Sequence, residues 1–301
     1  MILKTTKQKE YELIDSGNGK KLERYGSYII SRPDPEALWK RNLDDKEWEK
    51  LDLEFIRNGT KNKWIIKNGI LNNWNIKFGG LDFNIKPTSF KHLGLFPEQL
   101  PNWEWMSELI RCGKRPCLKG AQGEASGSNS ISVLNLFAYT GGATLACAKA
   151  GAEVCHVDGS KSAVDWARLN AELSGLKDAP IRWLIEDVTL FLKREIKRGR
   201  KYDAIIMDPP AFGHGPKDEL WKIEEHFLTL MDLCKQVLST DPLFILINGY
   251  TAGYSSIVYQ NNLIDLMKDY KGFVAGGELV IEDSTNKKLL PCGIFARWSK
   301  E

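Results

Sequence analysis

Residues 131–301 alternate short apolar runs with helical patterns, and this alternation constrains the fold more than any other feature of the chain. Strands are predicted near 132–137, 153–158, 181–186, 202–207 and 243–248, and helices near 142–150, 162–175, 188–199, 219–239 and 256–270. Such repetition is typical of an α/β fold with a doubly wound, mostly parallel sheet. Two more strands, at 276–282 and 290–298, leave no room between them for a crossover helix. They predict a terminal antiparallel hairpin and a seven-stranded sheet.

Residues 1–90 follow a different pattern, in which short alternating stretches are separated by Gly, Asn and Asp. Strands are predicted at 25–30, 63–66, 73–78 and 81–85, and Asn-Gly pairs at 18–19, 58–59 and 68–69 are hairpin-turn signals. We therefore expect a β-rich N-terminal region. Tryptophans 39, 48, 64, 74, 103 and 105 lie in or just after it. Aromatic residues on antiparallel sheets usually form core or cross-strand pairs, which leaves a minority for stacking on bases.

The predicted organisation has three parts. The β-rich region at 1–90 is followed by a connecting segment at 91–130, and then by the α/β domain at 131–301. Within the connection, residues 120–130 are rich in Gly and Ser and poor in bulky apolar residues, which predicts a flexible loop.

Composition excludes several classes of protein. The 301 residues contain no apolar run long enough to span a membrane and no apolar N-terminal leader, so we expect a cytoplasmic protein. The six cysteines form no C-x-x-C pair, and we expect neither zinc nor disulfides. The first 120 residues carry 22 Lys and Arg against 16 Asp and Glu. This excess is compatible with phosphate contacts and equally with solubility.

In a doubly wound sheet a ligand binds at the carboxyl ends of the strands, where the strand order reverses. The first such end reads Asn135-Leu136-Phe137-Ala138-Tyr139-Thr140-Gly141, and a helix follows. A dinucleotide site would need glycines where Phe137 and Tyr139 stand, because the pyrophosphate must approach the backbone. The large side chains of Phe137 and Tyr139, together with the terminal hairpin, favour S-adenosylmethionine, a sulfonium cofactor without phosphates. Asp158 ends the second strand, where it would either accept hydrogen bonds from ribose hydroxyls or cap the next helix.

The stretch Asp208-Pro209-Pro210-Ala211-Phe212 follows the fourth strand of the repeat. Two prolines remove backbone donors and fix φ, which would leave rigid carbonyls aimed at a donor on the methyl acceptor. Phe212 would stack on a base drawn out of its helix. A Pro-Pro turn with a buried Phe is also an ordinary structural feature. We take Asp208, Pro209, Pro210 and Phe212 as the catalytic candidates.

With these motifs the sequence resembles the class I S-adenosylmethionine-dependent methyltransferases, which have a Rossmann-like fold. Over residues 86–298 it is more similar to the group that modifies large-subunit ribosomal RNA at cytosine C5 or guanine N7, where the first motif is Asn/Asp-x-Phe-x-Tyr-Thr-Gly. The resemblance implies ribosomal RNA as the partner and a cofactor held by Asn135, Phe137, Tyr139, Thr140 and Gly141. It also implies that Asp158 binds the ribose, that Glu186 and Asp187 lie near the adenine, and that Asp208-Pro209-Pro210 borders the methyl. Segment 93–99 would cover the cofactor, with Gln99 as its polar contact.

Methylation at cytosine C5 requires a covalent cysteine adduct. Neither Ala211-Phe212-Gly213 nor the loop at 248–253 contains a cysteine, and Cys234 falls in a predicted helix. A nitrogen acceptor on a purine is therefore favoured. Asn248 or Tyr250 would either line the acceptor pocket or stabilise the loop. His214 is a general base or an exposed loop residue, and Lys217 a phosphate contact or an ordinary surface lysine.

Two alternatives remain from sequence alone. The chain could be a methyltransferase for a protein or a small molecule, or a non-catalytic module that binds an adenosyl ligand. The sequence does not indicate an oligomeric state.

Overall fold

The computed structural model describes residues 1–58, 61–67, 69–113, 130–216, 218–250 and 253–301. Five features of the sequence fall wholly or partly outside these ranges: the Asn-Gly signals at 58–59 and 68–69, the loop at 120–130, Lys217, and Thr251-Ala252.

The N-terminal part is β-rich, as predicted. Its elements are β1 (Ile2–Thr5), β2 (Tyr11–Gly17), β3 (Lys20–Tyr25), β4 (Tyr28–Pro33), α1 (Asp45–Trp48), β5 (Leu53–Asn58), β6 (Lys61–Ile66), β7 (Trp74–Phe78) and β8 (Leu81–Ile85). Strands β2 to β6 form one sheet in sequence order, and β7 pairs with β8. A 3₁₀ helix (Pro97–Gln99) and helix α2 (Leu100–Gly113) follow.

Turn residues determine where these strands end. Asn18 and Gly19 have φ of 51° and 72° and join β2 to β3, so this hairpin turn is confirmed. The single strand predicted at 25–30 is wrong. Gly26, with φ of 64°, turns the chain so that Tyr25 of β3 pairs with Tyr28 of β4.

The C-terminal part alternates strands and helices. Its elements are β9 (Ser132–Leu136), α3 (Gly142–Lys149), β10 (Glu153–Asp158), α4 (Lys161–Leu173), β11 (Ile181–Ile185), α5 (Val188–Lys197), β12 (Ala204–Met207), β13 (Phe212–His214), β14 (Leu220–Lys222), α6 (Ile223–Val237), β15 (Phe244–Gly249), α7 (Ser256–Met267), β16 (Gly272–Glu282) and β17 (Leu289–Lys300). The helix predicted at 219–239 begins only at Ile223, because β14 pairs with β13 instead.

Within the described residues, one large sheet has the order β1-β16-β17-β15-β12-β9-β10-β11. Strand β17 is antiparallel to both of its neighbours, which confirms the terminal hairpin. The sheet has one strand more than the predicted seven, because β1 pairs in parallel with β16 and covers an edge that would otherwise be open. The order reverses between β9 and β12, and the carboxyl ends of these two strands define the expected ligand site.

The β7–β8 hairpin packs on the large sheet through helix α4. The side chain of Asn170 accepts from the backbone N–H of Asn84 at 2.9 Å, and Trp166 Nε1 donates to the carbonyl of Asn84 at 2.9 Å. The hairpin and β9, β12 and β15 contribute to one continuous apolar core. The six early tryptophans are buried or half-buried, so they belong to packing and not to an exposed stacking surface.

No helix in the described ranges is both long and apolar enough to cross a membrane. The cysteines that lie in these ranges are all unpaired.

Candidate functional site

The turn between β9 and α3 has an unusual backbone. Phe137 and Tyr139 have φ of 54° and 49°, and Gly141, which precedes the first residue of α3, has φ of 87°. Non-glycine residues rarely adopt this left-handed region, at a cost of about 1 kcal/mol each. The two aromatic residues therefore keep the backbone conformation that glycines would take.

Hydrogen bonds and aromatic packing hold this strained turn in place. The N–H of Ala138 donates to the carbonyl of Val157 at 3.2 Å, and the N–H of Tyr139 donates to the Asp158 carboxylate at 2.8 Å. The Phe137 ring packs against Trp221 with centroids 5.1 Å apart, and the Tyr139 ring lies 5.6 Å from Phe96. The turn is thus anchored on both sides before any ligand binds.

A cavity opens beside the turn at the carboxyl ends of β9 and β12. Its polar lining comes from separate elements, and it includes Gln99, Asn135, Tyr139, Thr140, Asp208 and Asn248. Its apolar lining includes Phe83, Leu95, Phe96, Trp103, Met106, Phe137, Ile206 and Leu246. The structure therefore brings together the first motif, Gln99 and Asp208, as the sequence predicted.

Segment 93–99 covers one side of this cavity. The Thr140 hydroxyl donates to the carbonyl of Gly94 at 2.5 Å, and a Cβ at Gly94 would lie 2.2 Å from the ring of Trp166. Only glycine fits this close approach. The segment is thereby held against both the turn and helix α4.

A series of buried polar side chains contacts Asn135. Its Nδ2 donates to the Thr144 hydroxyl at 2.9 Å, and that hydroxyl lies 2.9 Å from Nδ1 of His156. All three side chains are buried, and burial lowers the pKa of His156 to about 3. The imidazole is therefore neutral at physiological pH, and this series fixes the orientation of the Asn135 amide.

Asp158 lies directly behind the turn. Its carboxylate accepts from the backbone N–H groups of Tyr139 and Ser160, each at 2.8 Å. Helix α4 is capped by Ser160, which accepts from Ala163, so Asp158 is not the helix cap. Burial raises the pKa of Asp158, although the two backbone hydrogen bonds oppose this.

The two acidic residues after β11 are engaged elsewhere. Asp187 caps α5 by accepting from the N–H of Leu190 at 2.9 Å, and Glu186 pairs with Arg194. Neither residue lines the cavity, and Asp158 does not line it either. Helix capping explains the position of Asp187 without a ligand.

Asp208 is a carboxylic acid in the cavity wall whose pKa is raised to near neutral pH. Burial, and then the nearby Glu98 carboxylate, raise its pKa to about 7. A cation placed against this carboxyl would favour its charged form. The lining therefore suits a positively charged ligand with an apolar body, and S-adenosylmethionine fits this description.

The rest of the 208–212 stretch differs in part from the prediction. Trp221 Nε1 donates to the carbonyl of Pro210 at 2.7 Å, so the expectation that the prolines leave their carbonyls free is wrong for Pro210. Pro209 is buried, whereas Phe212 is 57% exposed, and its ring lies against that of His214. His214 itself pairs with Asp218 at 2.8 Å in an exposed hairpin.

Several residues at the site were not predicted. Asn102 on α2 donates to both Gln99 and Asn248 at 3.1 Å, and Trp103 lies against Gly142, where a Cβ would be 2.3 Å from its ring. Gln99 in turn donates to the hydroxyl of Tyr250 at 2.6 Å. Buried polar and aromatic residues on a helix look like ordinary core positions in a sequence, so only the packing identifies them.

Comparison with solved structures identifies the family of this chain. No protein-family model matches the chain. A solved structure of the SAM-dependent methyltransferase from Agrobacterium tumefaciens superposes with a TM-score of 0.91 and 37% identity, over 100% of this chain and 94% of that one. A second structure, of a methyltransferase complexed with S-adenosylhomocysteine, has 18% identity and a TM-score of 0.69 over 96% and 75% of the two chains, and shows the shared fold.

The fold and the cavity define a class I methyltransferase. The chain belongs to the S-adenosylmethionine-dependent methyltransferases, and S-adenosylmethionine is its cofactor.

Curated relatives match over shorter stretches. Ribosomal RNA large subunit methyltransferase K of Neisseria meningitidis is 33% identical over 167 residues, which is 53% of this chain and 44% of that protein. Ribosomal RNA large subunit methyltransferase I of Aeromonas salmonicida is 46% identical over 81 residues, which is 27% of this chain and 20% of that protein. The chain thus spans less than half the length of these relatives.

Proposed function

We propose that this enzyme transfers a methyl group to a nitrogen atom of a base in large-subunit ribosomal RNA. The observation that carries the proposal is the position of Phe212, which is 57% exposed four residues after Asp208 in the cavity wall. A large exposed aromatic side chain that follows a cavity-wall residue by four positions is suited to stack on a base that has left its helix. The names of the curated relatives support the same class of substrate.

In this proposal the cofactor is held mainly by the turn and by the segment over it. Asn135, Phe137, Tyr139, Thr140, Gly141 and Gln99 would contact it from the cavity lining, and Asp158 would use its remaining lone pairs for the ribose. Glu186 and Asp187 would lie near the adenine while keeping their present contacts with α5, which are the pair of Glu186 with Arg194 and the bond of Asp187 to Leu190. When bound, S-adenosylmethionine supplies a methyl group that is activated by the positive sulfonium.

The catalytic residues act by position and charge. Asp208, kept partly protonated near neutral pH by burial, would become ionised beside a cationic ligand and so stabilise it. Pro209 and Pro210 make this stretch rigid, and the Trp221 bond to Pro210 adds a further restraint. Correct placement of acceptor and donor supplies much of the rate of a direct displacement.

A nitrogen acceptor fits the described residues better than cytosine C5. A cysteine does lie near the site, since Cys292 and Tyr250 line a neighbouring cleft that shares Leu95 and Phe96 with the cofactor cavity. Its thiol contacts the carbonyl of Leu290 at 3.4 Å, and burial together with the Glu98 carboxylate raises its pKa well above the usual value. A protonated thiol is a poor nucleophile, whereas covalent attack on C6 of cytosine needs a thiolate.

We further propose that residues 1–90 and the connection at 91–130 act with the 131–301 domain in selecting the acceptor. The basic excess before residue 120 and the packing of β7–β8 on α4 support this division of roles.

The decisive experiment is mass spectrometry of nucleosides from large-subunit ribosomal RNA of cells with and without the gene. We expect one methylated base to disappear in the deletion, to return with the wild-type gene, and to stay absent with Asp208→Ala. Unchanged RNA in the deletion, with methyl transfer instead to a protein or a metabolite, would contradict the proposal. An Asp178→Ala variant serves as the control, because Asp178 is exposed and does not line the cavity.

A further inference from the structure

The turn at residues 88–92 carries the most exposed aromatic ring in the part of the chain that the structure describes. The Phe90 side chain is 76% exposed, whereas the six early tryptophans are buried or half-buried. Single exposed apolar residues are common on protein surfaces, so exposure alone assigns no role to Phe90. The conformation of the turn and the charges around it do.

Hydrogen bonds hold this turn in one conformation. The N–H of Lys91 donates to the carbonyl of Thr88 at 3.3 Å, and the N–H of Thr88 donates to the carbonyl of His92 at 3.0 Å. Trp64 of β6 also donates its Nε1 to the carbonyl of Thr88, at 2.7 Å. Phe90 is therefore presented to solvent on a fixed backbone, which lowers the entropy that is lost when its ring packs against a ligand.

The stretch around the turn carries the whole basic excess of the first 120 residues. Residues 55–97 contain seven Lys and Arg against one acidic residue, Asp82. The first 120 residues contain 22 against 16, so the remainder of this half of the chain is balanced. Asp82 pairs with Lys77 at 2.7 Å, and within the described ranges no other cation of the stretch forms an ion pair. The positive charge is therefore concentrated in one region.

Two exposed cations, Lys86 and Arg57, lie next to the turn. Lys86 precedes Thr88, where the turn begins, by two residues. Arg57 lies on the face of β5 that also carries Phe55, because side chains alternate along a strand. The Phe55 ring packs 5.1 Å from the ring of Trp64, which binds the turn. Arg57 is thus on the side of the sheet that faces the turn.

The charges with the largest effect on His92, at the end of the turn, are cations. Burial and then four positive charges lower the pKa of His92 to about 4, and these are the charges of Arg32, Lys91, Lys21 and Arg57. Lys21 and Arg32 already have carboxylate partners, at 3.1 Å and 2.5 Å, which are Asp34 and Glu23. Arg57 and Lys86 have no such partner in the described part of the chain, so they remain to attract an anion.

A series of rings joins the turn to the cofactor cavity. The centroid of the His92 ring lies 5.3 Å from that of Phe96, and the Phe96 centroid lies 5.6 Å from that of Tyr139. Phe96 and Tyr139 both line the cavity. Phe90 lies two residues before His92, so a substrate strand that reaches the cavity can pass over the turn.

We propose that Phe90 stacks on a base of the RNA strand that contains the methyl acceptor, and that Arg57 and Lys86 contact the phosphates of this strand. A flat aromatic ring next to cations is a common arrangement for binding single-stranded nucleic acid without reading its sequence. The turn would therefore provide affinity for the strand, whereas Asp208 and Phe212 act on the nucleotide that is methylated. This inference rests on the proposed RNA methyltransferase function.

The first test measures the binding of a labelled single-stranded RNA oligonucleotide of mixed sequence by fluorescence anisotropy. Phe90→Ala should raise Kd by about fivefold or more, which is the usual effect of losing one stacked base. Phe90→Trp should keep the wild-type Kd, because an indole also stacks. Leu38→Ala removes an apolar side chain that is 89% exposed in the same region, and it should behave as wild type. Thermal melting of each variant establishes that it is folded.

The second test separates stacking from charge. Arg57→Gln and Lys86→Gln should each reduce the slope of log Kd against log salt by about 0.7, whereas Phe90→Ala should leave this slope unchanged. Lys46→Gln, at an exposed position of α1, is the matched loss of charge and should leave both Kd and the slope unchanged.

The third test uses methyl transfer to large-subunit ribosomal RNA from cells that lack the gene. Phe90→Ala should raise KM for this RNA by about the same factor as Kd and leave kcat unchanged. Its affinity for S-adenosylhomocysteine, measured by calorimetry, should also be unchanged, because Phe90 does not line the cofactor cavity.

The outcomes distinguish two failures. If the wild-type enzyme methylates no RNA, the proposed function is wrong and this inference is wrong with it. If the wild type methylates RNA but Phe90→Ala keeps the wild-type Kd and KM, as it would if the ring met a protein partner instead, this inference alone is overturned. An equal loss of affinity in Phe90→Trp and Phe90→Ala would also overturn it, because RNA would then not be held by stacking.

Discussion

Replacing Asp208 by Asn should make the ligand-free enzyme more stable at high pH, even though it removes a catalytic candidate. Burial and the Glu98 carboxylate raise the pKa of Asp208 from 3.8 to about 7. Each pKa unit corresponds to about 1.4 kcal/mol, so the ionised group opposes folding by at most about 4 kcal/mol. The Asp208 side chain is partly exposed to solvent. Solvent screening therefore lowers the expected penalty for the ionised group to about 2 kcal/mol.

Proton binding determines how the free energy of unfolding changes with pH. Below about pH 4 the carboxyl is protonated in both the folded and the unfolded chain, and Asp208 carries no penalty. Between about pH 4 and 7 the folded protein keeps a proton that the unfolded chain has released, so the free energy of unfolding falls as pH rises. Above about pH 7 the penalty is complete. Asparagine does not titrate, so the advantage of the variant should develop only across this window.

The assay is urea denaturation of both proteins, without cofactor, at about pH 5 and pH 8. The free energy of unfolding of Asp208→Asn should exceed that of wild type by about 2 kcal/mol at the higher pH, and by much less at the lower pH. Asp178→Asn, at an exposed position, should show no such pH-dependent difference. A difference between Asp208→Asn and wild type that is the same at both pH values would refute the reasoning.

Three further predictions concern the same site. Phe137→Gly should be more stable than Phe137→Ala by about 1 kcal/mol in urea denaturation, because φ at this position is 54° and only glycine adopts it without strain; equal stability would show that the turn relaxes. Gly142→Ala should destabilise the protein by about 1–3 kcal/mol, because its Cβ would lie 2.3 Å from the ring of Trp103, whereas Gly159→Ala, with its nearest neighbour at 3.5 Å, should be tolerated in the same thermal melts. The affinity for S-adenosylmethionine relative to S-adenosylhomocysteine, measured by calorimetry, should rise as the pH increases through about 7, because only S-adenosylmethionine is a sulfonium and Asp208 ionises in this range. Asp208→Asn should abolish this pH dependence. A ratio of the two affinities that stays constant with pH in the wild type would exclude a charge interaction between Asp208 and the sulfonium.

Local patterns predicted most of the C-terminal fold. The strands at β9, β10, β11 and β15 and the terminal hairpin lie within a few residues of their predicted positions, because buried parallel strands read as short apolar runs between helical patterns. The main error in this part, the start of α6, arose where β13 and β14 form a small hairpin that only pairing partners reveal.

The N-terminal region was predicted less well, since its strands depend on partners far away in the sequence. Strand β1 pairs with β16 more than 270 residues later, and nothing in the first residues indicates that partner. The functional site shows the same contrast between local features and contacts with distant residues. The segments that contribute Gln99, Asn135 and Asp208 were recognisable, but the hydrogen bonds that link Asn102 to Gln99 and Asn248 were not.

The sequence by itself determined the α/β class, the cofactor type and several of the residues that line the cavity, because hydrophobic period and turn residues act over a few positions. Only the tertiary structure decided what those residues can do. It placed Phe137 and Tyr139 in a glycine-like backbone and joined Pro210 to Trp221 by a hydrogen bond. It also removed the carboxyls of Glu98 and Asp208 from water, which raises both pKa values to about 7, and the Glu98 carboxylate adds to the rise at Asp208. Burial and charge proximity depend on contacts between distant segments, and these exist only once the chain has folded.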